Sequence, residues 1–178
     1  ALLRQGLQTI HRRSGGLLEF MKNYRKVALV PQPLCSDVKA EELVSALMPL
    51  FISTEHITYR FALQHPDRLL HIDRTQMEQV LINLLKNATE ACAHTSDAVV
   101  TLTDSIDEAT GRYCLHVTDN GLGILPEVQE KIFIPFFTTK PTGTGIGLPL
   151  SRQMMMKQGI NLLLSDRALP GYHATFVL

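Results

Sequence analysis

The sequence predicts an α+β fold, a two-layer sandwich of helices on a mixed, largely antiparallel sheet, with one long helix in front of it. Two observations predict this architecture. Apolar residues recur at helical spacing in several segments, and these segments are interspersed with alternating runs that read as antiparallel strands. The 178 residues, 45% of them hydrophobic, suffice for one such domain with an appended element but not for two full-sized domains.

The first segment, residues 2–30, is expected to form one long helix because its apolar residues recur mostly every three or four positions. Pro31 and Pro33 end this helix, since proline removes an amide donor and restricts the residue before it. We therefore predict a boundary here, with residues 1–32 as a helical element and residues 33–178 as the sandwich. Such a helix must pack its apolar stripe against another helix.

Capping residues and periodicity predict the elements after the prolines. Ser36-Asp37 or a neighbour is expected to cap a helix whose apolar residues run from Val38 to Leu50. Residues 57–63 alternate in polarity as a strand does, and residues 65–67, His-Pro-Asp, form a turn.

Asp73 is expected to cap the strongest helix of the chain, which keeps its apolar spacing to about Cys92. Residues 98–105 and 112–118 alternate in polarity and are joined by a polar segment, which predicts a hairpin. The remaining elements are expected to be a short helix over 126–133, a loop over 136–148, a helix over 149–158 and a closing strand pair over 161–165 and 174–178.

Charge and composition exclude several classes of function. Lysine plus arginine and aspartate plus glutamate both number 17, so the formal net charge is zero and no overall field attracts nucleic acid. The apolar stretches are far shorter than the roughly 20 residues that cross a bilayer, so we expect no direct membrane contact. Cys35, Cys92 and Cys114 have no C-x-x-C spacing, which argues against a disulfide scaffold or a zinc knuckle and favours a cytoplasmic location.

Two asparagines are the first candidates for chemistry. Asn83 and Asn87 lie four residues apart among leucines of the strong helix, and so on one of its faces. Each carboxamide is either solvated or bonded to a neighbouring turn, or its oxygen faces a hard cation such as Mg²⁺ that shares its ligands with substrate phosphates.

A short glycine motif, Asp119-Asn-Gly121-Leu-Gly123-Ile124, directly follows a predicted strand. A lone D-N-G sequence is ordinarily a turn. The second glycine favours another interpretation, in which the backbone closely approaches a flat ligand and Asp119 accepts a hydrogen bond from the amino group of a heterocycle such as adenine.

The third motif places glycines at alternate positions, Gly143, Gly145 and Gly147, ahead of a predicted helix. It lacks the order of a P-loop and follows a loop rather than a strand, so it is neither a P-loop nor a dinucleotide fingerprint. Its physical use would be a mobile lid whose amides hold a polyphosphate, and Lys140 beside it supplies a counter-charge.

Together these motifs closely resemble the ATP-binding domain of sensor histidine kinases, within the GHKL superfamily that also contains gyrases, heat-shock chaperone ATPases and mismatch-repair ATPases. Asn83–Ala91 is similar to the N box, Asp119–Ile124 to the first glycine box, Phe133–Phe137 to the F box and Gly143–Leu148 to the second glycine box. The resemblance covers roughly residues 73–178 and implies a Bergerat-type fold.

The resemblance also implies ATP and Mg²⁺ as cofactors. It assigns Asn87 to the metal, Asn83 to the phosphates and Asp119 to the adenine amine, with Asn83, Asn87 and Lys140 as the catalytic set. The rest of the expected nucleotide site is Gly121, Gly123, Ile124, Phe133, Thr138, Thr139, Gly143, Thr144, Gly145, Ile146, Gly147, Leu148 and Thr175.

The implied function is transfer of the ATP γ-phosphoryl group to a histidine and onward to an aspartate of a response-regulator receiver domain. Residues 1–32 resemble the second helix of the dimerisation and phosphotransfer hairpin, which implies a homodimer of a full-length protein that is cytoplasmic or anchored in the inner membrane. We expect the first helix, with the acceptor histidine, to lie outside this fragment, because no acceptor motif surrounds His11.

Two alternatives stay open. A GHKL-type ATPase generally carries a glutamate where this chain has Asn83, and a carboxamide cannot act as a general base. A degenerate, nucleotide-free interaction module is the other alternative. The chain also departs from the family pattern at Glu90, where many members have Lys or Arg, at Gln158-Gly159-Ile160 in place of H-G-G, and at His173 in place of glycine.

Overall fold

The computed structural model describes residues 4, 11, 14–16, 18, 21–22, 24–25, 29–51, 56–141, 143–165 and 173–178. Within the long helix predicted over residues 2–30, the described residues up to Arg25 are helical. Leu29 lies in a turn and Val30 is not helical, so the helix ends before the predicted position, and the other residues of this segment lie outside the described residues. None of the described helices combines the length and the apolar character that a membrane span requires.

In chain order the elements are β1 (Ser36–Lys39), α1 (Ala40–Leu47), a 3₁₀ turn (Met48–Leu50), β2 (Ile57–Ala62), β3 (Leu69–Ile72), α2 (Arg74–Ala91), β4 (Ala98–Ile106), β5 (Tyr113–Asp119), α3 (Pro126–Gln129), α4 (Gly147–Lys157), β6 (Leu163–Leu164) and β7 (Ala174–Val177). Five strands form one sheet in the order β2-β4-β5-β7-β6, and β1 pairs with β3 separately. Only β2 and β4 are parallel within the described sheet, so the predicted mixed, largely antiparallel sandwich is confirmed.

Helix α2 packs on β4 and β5 of the large sheet, and helix α4 packs against α2. The apolar spacing of α2 directs Leu81, Leu84 and Leu85 inward, where each is 0% exposed. Burial of one such side chain contributes about 1.5 to 3 kcal/mol. On the sheet, Leu102 pairs with Val117 and packs into the same core. This core holds α2 rigidly across the strands and fixes where its polar side chains lie.

A buried polar network ties the N-terminal end of α2 to distant segments. Asp73 caps the helix as predicted, since its Oδ1 accepts a hydrogen bond from the Gln76 amide at 3.0 Å. The other carboxylate oxygen accepts from the Leu34 amide at 2.8 Å. Gln158, at the end of α4, accepts from the Asp73 amide through Oε1 at 2.8 Å and donates to Gln76 Oε1 at 3.2 Å.

Two predicted helices were placed or sized wrongly. Val38 lies in strand β1, where it pairs with Leu70, and helix α1 starts only at Ala40 without a side-chain cap. Helix α3 spans four residues, Pro126–Gln129, rather than eight, and the chain continues in single turns. At Val38, pairing with a distant strand overrides the local helical spacing. Helix α3 is short because an isolated helix of a few residues has only marginal stability.

Helix α4 begins at Gly147, two residues before the predicted start at Pro149. Proline is tolerated in the first turn of a helix because the amide it lacks would have no partner there. The predicted strands over 57–63, 98–105, 112–118 and 174–178 and the turn over 65–67 are present, and the strand predicted over 161–165 is reduced to Leu163–Leu164.

Candidate functional site

The two asparagines of α2 face the start of α4. Asn83 Nδ2 donates to the Ser151 hydroxyl at 3.0 Å, and Ser151 is 3% exposed. A Cβ atom added at Gly147 would lie 2.5 Å from Asn83 Oδ1. Glycine at this position therefore allows the first turn of α4 to sit directly against Asn83, and one hydrogen bond positions the carboxamide.

Asn87, one turn further along α2, contacts a cation. Lys140 Nζ donates to Asn87 Oδ1 at 2.9 Å and also forms an ion pair with Glu90 Oε2. The carboxamide oxygen of Asn87 thus already faces a positive charge. Oxygen ligands are those that Mg²⁺ prefers, so the donor set at this end of α2 fits a hard divalent cation.

Asp119 lies at the C-terminal end of β5, buried to 3% exposure on the sheet face that α2 covers. Its Oδ1 accepts a hydrogen bond from the Gly121 amide at 2.9 Å. Burial raises the pKa of Asp119 to about 6, while the bond from Gly121 acts in the opposite direction. The result is a carboxylate held at a strand end in a partly dry environment, where it can accept a hydrogen bond from an amino group.

The first glycine motif packs on the C-terminal end of α2. A Cβ atom at Gly121 would lie 2.5 Å from the Ala91 carbonyl carbon and oxygen, so a larger residue would displace backbone. The Leu122 amide donates to the same carbonyl oxygen at 3.2 Å. Gly123 has a φ of +71°, a conformation that favours glycine. These contacts position Asp119 next to the face of α2 that carries the asparagines.

Asn120 holds this loop in place, a role that sequence reasoning missed. Its Oδ1 accepts from the Val99 amide at 2.7 Å and its Nδ2 donates to the Asp97 carbonyl at 3.0 Å. An asparagine in a D-N-G sequence is typical of an ordinary turn. The feature of the sequence that could have indicated this role is the capacity of an asparagine side chain both to donate and to accept hydrogen bonds.

The segment between the F box and α4 folds back on itself. The Phe136 amide donates to the Gly145 carbonyl at 2.8 Å, and both residues have positive φ, +68° and +65°. A Cβ atom at Gly145 would contact the carbonyl carbon of Phe136, and one at Gly143 would contact the Thr138 hydroxyl. The alternate glycines therefore allow a tight fold, in which Thr138 Oγ1 accepts from the Lys140 amide at 3.1 Å.

The remaining predicted residues frame this segment. Ile124 and Phe133 are partly buried and pack against the core, and the Arg152 guanidinium lies 4.5 Å from the centroid of the Phe133 ring. Thr139 and Thr144 are exposed, Ile146 is buried, and Leu148 is half-buried.

Thr175 lies apart from Asp119. The register pairs Thr175 with Thr118 and Ala174 with Asp119. Paired residues share a sheet face and successive residues alternate, so Thr175 lies on the face opposite to Asp119. We therefore remove Thr175 from the candidate site, because strand alternation directs its side chain away from it.

His173 is a further residue at the site that sequence reasoning noted only as a departure from a pattern. Its amide donates to the Asp119 carbonyl at 2.9 Å, and its Nδ1 forms a hydrogen bond with the Gly121 carbonyl. The imidazole thus links the last strand of the sheet to the loop that carries Asp119.

Comparisons with known proteins identify the family of this chain. Residues 72–178 match the sequence profile of the family described as "Histidine kinase-, DNA gyrase B-, and HSP90-like ATPase". The C4-dicarboxylate transport sensor protein DctB of Rhizobium meliloti is 42% identical over 95 residues, 53% of this chain and 15% of that protein. The signal transduction histidine-protein kinase AtoS of Escherichia coli is 38% identical over 109 residues, 61% of this chain and 17% of that protein. The chain therefore spans less than a fifth of the length of these two relatives.

Solved structures of histidine kinases share the fold. The nucleotide-free catalytic domain of histidine kinase ThkA superposes with a TM-score of 0.68 at 32% identity, covering 80% of this chain and 92% of that one. ThkA in complex with the response regulator protein TrrA gives 0.67 at 25% identity, covering 96% of this chain and 49% of that one. The chain therefore belongs to the family of histidine kinase-, gyrase B- and HSP90-like ATPases, and it carries the ATP-binding catalytic domain of the sensor histidine kinase type that its motifs predict.

Proposed function

We propose that this domain binds Mg·ATP between α2 and the lid, residues 136–146, and transfers the γ-phosphoryl group to a histidine on the dimerisation hairpin of the intact protein. One observation carries the proposal. Asn83, Asn87 and Ala91 follow one another at four-residue intervals on α2, and the loop that presents Asp119 packs on Ala91. One face of this helix, about 12 Å long from Ala91 to Asn83, thus leads from the loop of the buried carboxylate past the cation-facing carboxamide of Asn87 to Asn83.

The roles follow from the chemistry of each group. Asp119 would accept a hydrogen bond from the adenine amino group, and Asn83 would contact the phosphates beside the first turn of α4. Asn87 would hold Mg²⁺, which when bound neutralises charge on the phosphate oxygens. Lys140 would supply the remaining positive charge. The lid amides of Gly143 and Gly145, together with the Gly147 amide at the start of α4, would supply the remaining hydrogen-bond donors.

Phosphoryl transfer requires mainly positioning and charge neutralisation from this domain, because the acceptor histidine forms the new bond to phosphorus, ADP leaves, and no side chain of the domain forms a covalent intermediate. The residues described here supply both. The acceptor nucleophile would come from the histidine hairpin, and His11 is not assigned that role. The carboxamide of Asn83 cannot remove a proton from water, which favours a kinase over an ATPase of the same family.

We further propose a response-regulator receiver domain as the partner that accepts the phosphoryl group, and a homodimer formed through residues 1–32 and the hairpin. Residues 33–178 would then form the catalytic domain, in the cytoplasm where ATP is available. The complex of ThkA with its response regulator supports the choice of partner, since that protein shares this fold at 25% identity.

The decisive test is calorimetric titration of the domain with ATP and a non-hydrolysable analogue in the presence of Mg²⁺. Asp119→Asn should weaken binding about a hundredfold, because the amide nitrogen would face the adenine amino group as a second donor. Asp107→Asn, the same change at an exposed turn between β4 and β5, should bind like the wild type. An absence of binding heat in the wild-type protein would favour the nucleotide-free interaction module.

A second measurement separates the kinase from the ATPase. The domain should bind radiolabelled ATP without labelling itself, and labelling should appear when a hairpin with an acceptor histidine is supplied. Release of inorganic phosphate that disappears in Asn83→Ala would instead establish hydrolysis. Self-labelling of the domain alone would contradict the expectation that its acceptor is elsewhere.

A further inference from the structure

The pair formed by Glu90 and Lys140 lies at the phosphate end of the candidate site. Glu90 is three residues after Asn87 on α2, so both side chains project from the same region of the helix surface. Lys140 belongs to the folded-back segment that precedes α4. Its ammonium group contacts Asn87 Oδ1 at 2.9 Å and Glu90 Oε2 in the same arrangement. Two oxygen atoms from α2 therefore converge on one cation.

These two oxygen atoms differ in charge, and they therefore differ in how strongly each attracts a cation. A carboxamide oxygen contributes only a dipole, whereas the carboxylate of Glu90 contributes a full negative charge. The side chains of Glu90 and Lys140 are 58% and 42% exposed, so the ion pair is accessible to solvent. An exposed pair of this kind contributes only about 0 to 1 kcal/mol and can exchange its partners easily.

We propose that Glu90 makes the site selective for the Mg²⁺ chelate of ATP over metal-free ATP, with Lys140 occupying the cation position until the nucleotide arrives. This inference rests on the proposed function and goes beyond it, because it assigns Glu90 a role in specificity. With Mg·ATP in the site, the charge of Glu90 would be compensated by the metal ion, and Lys140 would be released to compensate the phosphates. Each charge exchanges one opposite partner for another.

Metal-free ATP cannot make this exchange. Lys140 would have to serve both Glu90 and the triphosphate, and if it moved to the phosphates, the carboxylate would face a polyanion without compensation. Repulsion between like charges a few Å apart near a protein surface is strong enough to change affinity by an order of magnitude. Glu90 therefore penalises the nucleotide that lacks its metal ion.

The test compares ATP affinity with and without metal in two variants. Wild type, Glu90→Gln and Glu108→Gln are titrated with ATP in excess Mg²⁺ and again in EDTA. The ratio of the two dissociation constants should fall about tenfold in Glu90→Gln, with tighter binding in EDTA. Glu108→Gln, at an exposed turn position, should keep the wild-type ratio. An unchanged or larger ratio in Glu90→Gln would overturn the inference.

A double-mutant comparison tests the link to Lys140 independently of enzymatic turnover. In EDTA, Lys140→Gln should weaken ATP binding, because it removes a counter-charge and leaves Glu90 unpaired. Adding Glu90→Gln to that variant should restore part of the lost affinity. Failure of the second change to restore any affinity would contradict the inference. If wild type bound no ATP in either condition, the proposed function itself would fail, so the two failures are distinguishable.

Discussion

Two buried carboxylates, one at each end of helix α2, have opposite effects on the protein. Asp73 at the N-terminal end accepts hydrogen bonds from the Leu34 and Gln76 amides, and these bonds lower its pKa. Asp119, beside the C-terminal end, accepts a bond from the Gly121 amide, but burial prevails and raises its pKa to about 6. The charged form is favoured by the fold at one end and disfavoured at the other.

This difference separates stability from function along a single helix. At the N-terminal end, each polar group has a partner fixed by the fold, and these partners come from the linker and from α4. At the C-terminal end, Asn87 and Glu90 share an exchangeable lysine. The hydrogen-bonded network at the N-terminal end stabilises the fold. The buried carboxylate and the exposed polar groups at the C-terminal end reduce stability, but they can bind a ligand. Four predictions test this contrast.

The largest expected effect concerns pH. Because the pKa of Asp119 is higher in the folded protein than in the unfolded chain, the folded state binds more protons between about pH 4 and 6, and stability falls as pH rises through that range. The expected decrease is about 3 kcal/mol. Asp119→Asn should remove this decrease. In denaturant titrations, the free energy of unfolding of the variant minus that of the wild type should therefore become more positive from pH 4 to pH 7. A difference that does not change with pH would contradict a raised pKa of Asp119 in the folded protein.

Loss of the carboxylate at the other end should have the opposite consequence. Asp73→Ala removes the helix cap and leaves the Leu34 amide without its acceptor, so the free energy of unfolding at pH 7 should fall by about 2 kcal/mol. The loss should shrink as pH falls and Asp73 is protonated in the wild type. Asp37→Ala, an exposed carboxylate paired with His71, is the matched control and should change stability by less than about 0.5 kcal/mol.

A smaller effect is expected at Gln158, which connects α4 to the same network. Gln158→Leu keeps the side-chain volume but removes the acceptor for the Asp73 amide and the donor to Gln76, at a cost of about 1 kcal/mol. ATP affinity should stay within about twofold of wild type, since the residue is at the end of α4 remote from Gly147. Thermal unfolding and nucleotide titration of the same preparation measure both quantities. A large loss of affinity would show that the two ends are not separate.

The smallest effect on stability is expected for Asn87→Ala, a substitution that should nevertheless change ATP binding strongly. Asn87→Ala should change the free energy of unfolding by less than about 0.5 kcal/mol, because its partner Lys140 is exposed and alanine favours a helix. The same variant should bind ATP more weakly in excess Mg²⁺ and should lose part of the dependence of ATP binding on Mg²⁺, because Glu90 still disfavours the metal-free nucleotide. Destabilisation comparable to that of Asp73→Ala would contradict the contrast between the two ends.

The features that the sequence predicted correctly depend on neighbours within a few positions. The cap at Asp73, the periodicity of α2 and the hairpin of β4 and β5 are local signals. The prediction of a helix at Val38 was wrong because this residue lies in a strand that pairs with Leu70, which is distant in the sequence. Local propensity cannot detect a partner that only the folded chain brings near.

For the candidate site, the sequence by itself determined the residue types, their spacing on α2 and the family to which they belong, since these are properties of a helix face and of short motifs. Only the tertiary structure decided that Lys140 meets Asn87 and Glu90, and that His173 bonds to the loop carrying Asp119 while Thr175 faces away. These contacts join residues about fifty positions apart, and strand register and core packing select them.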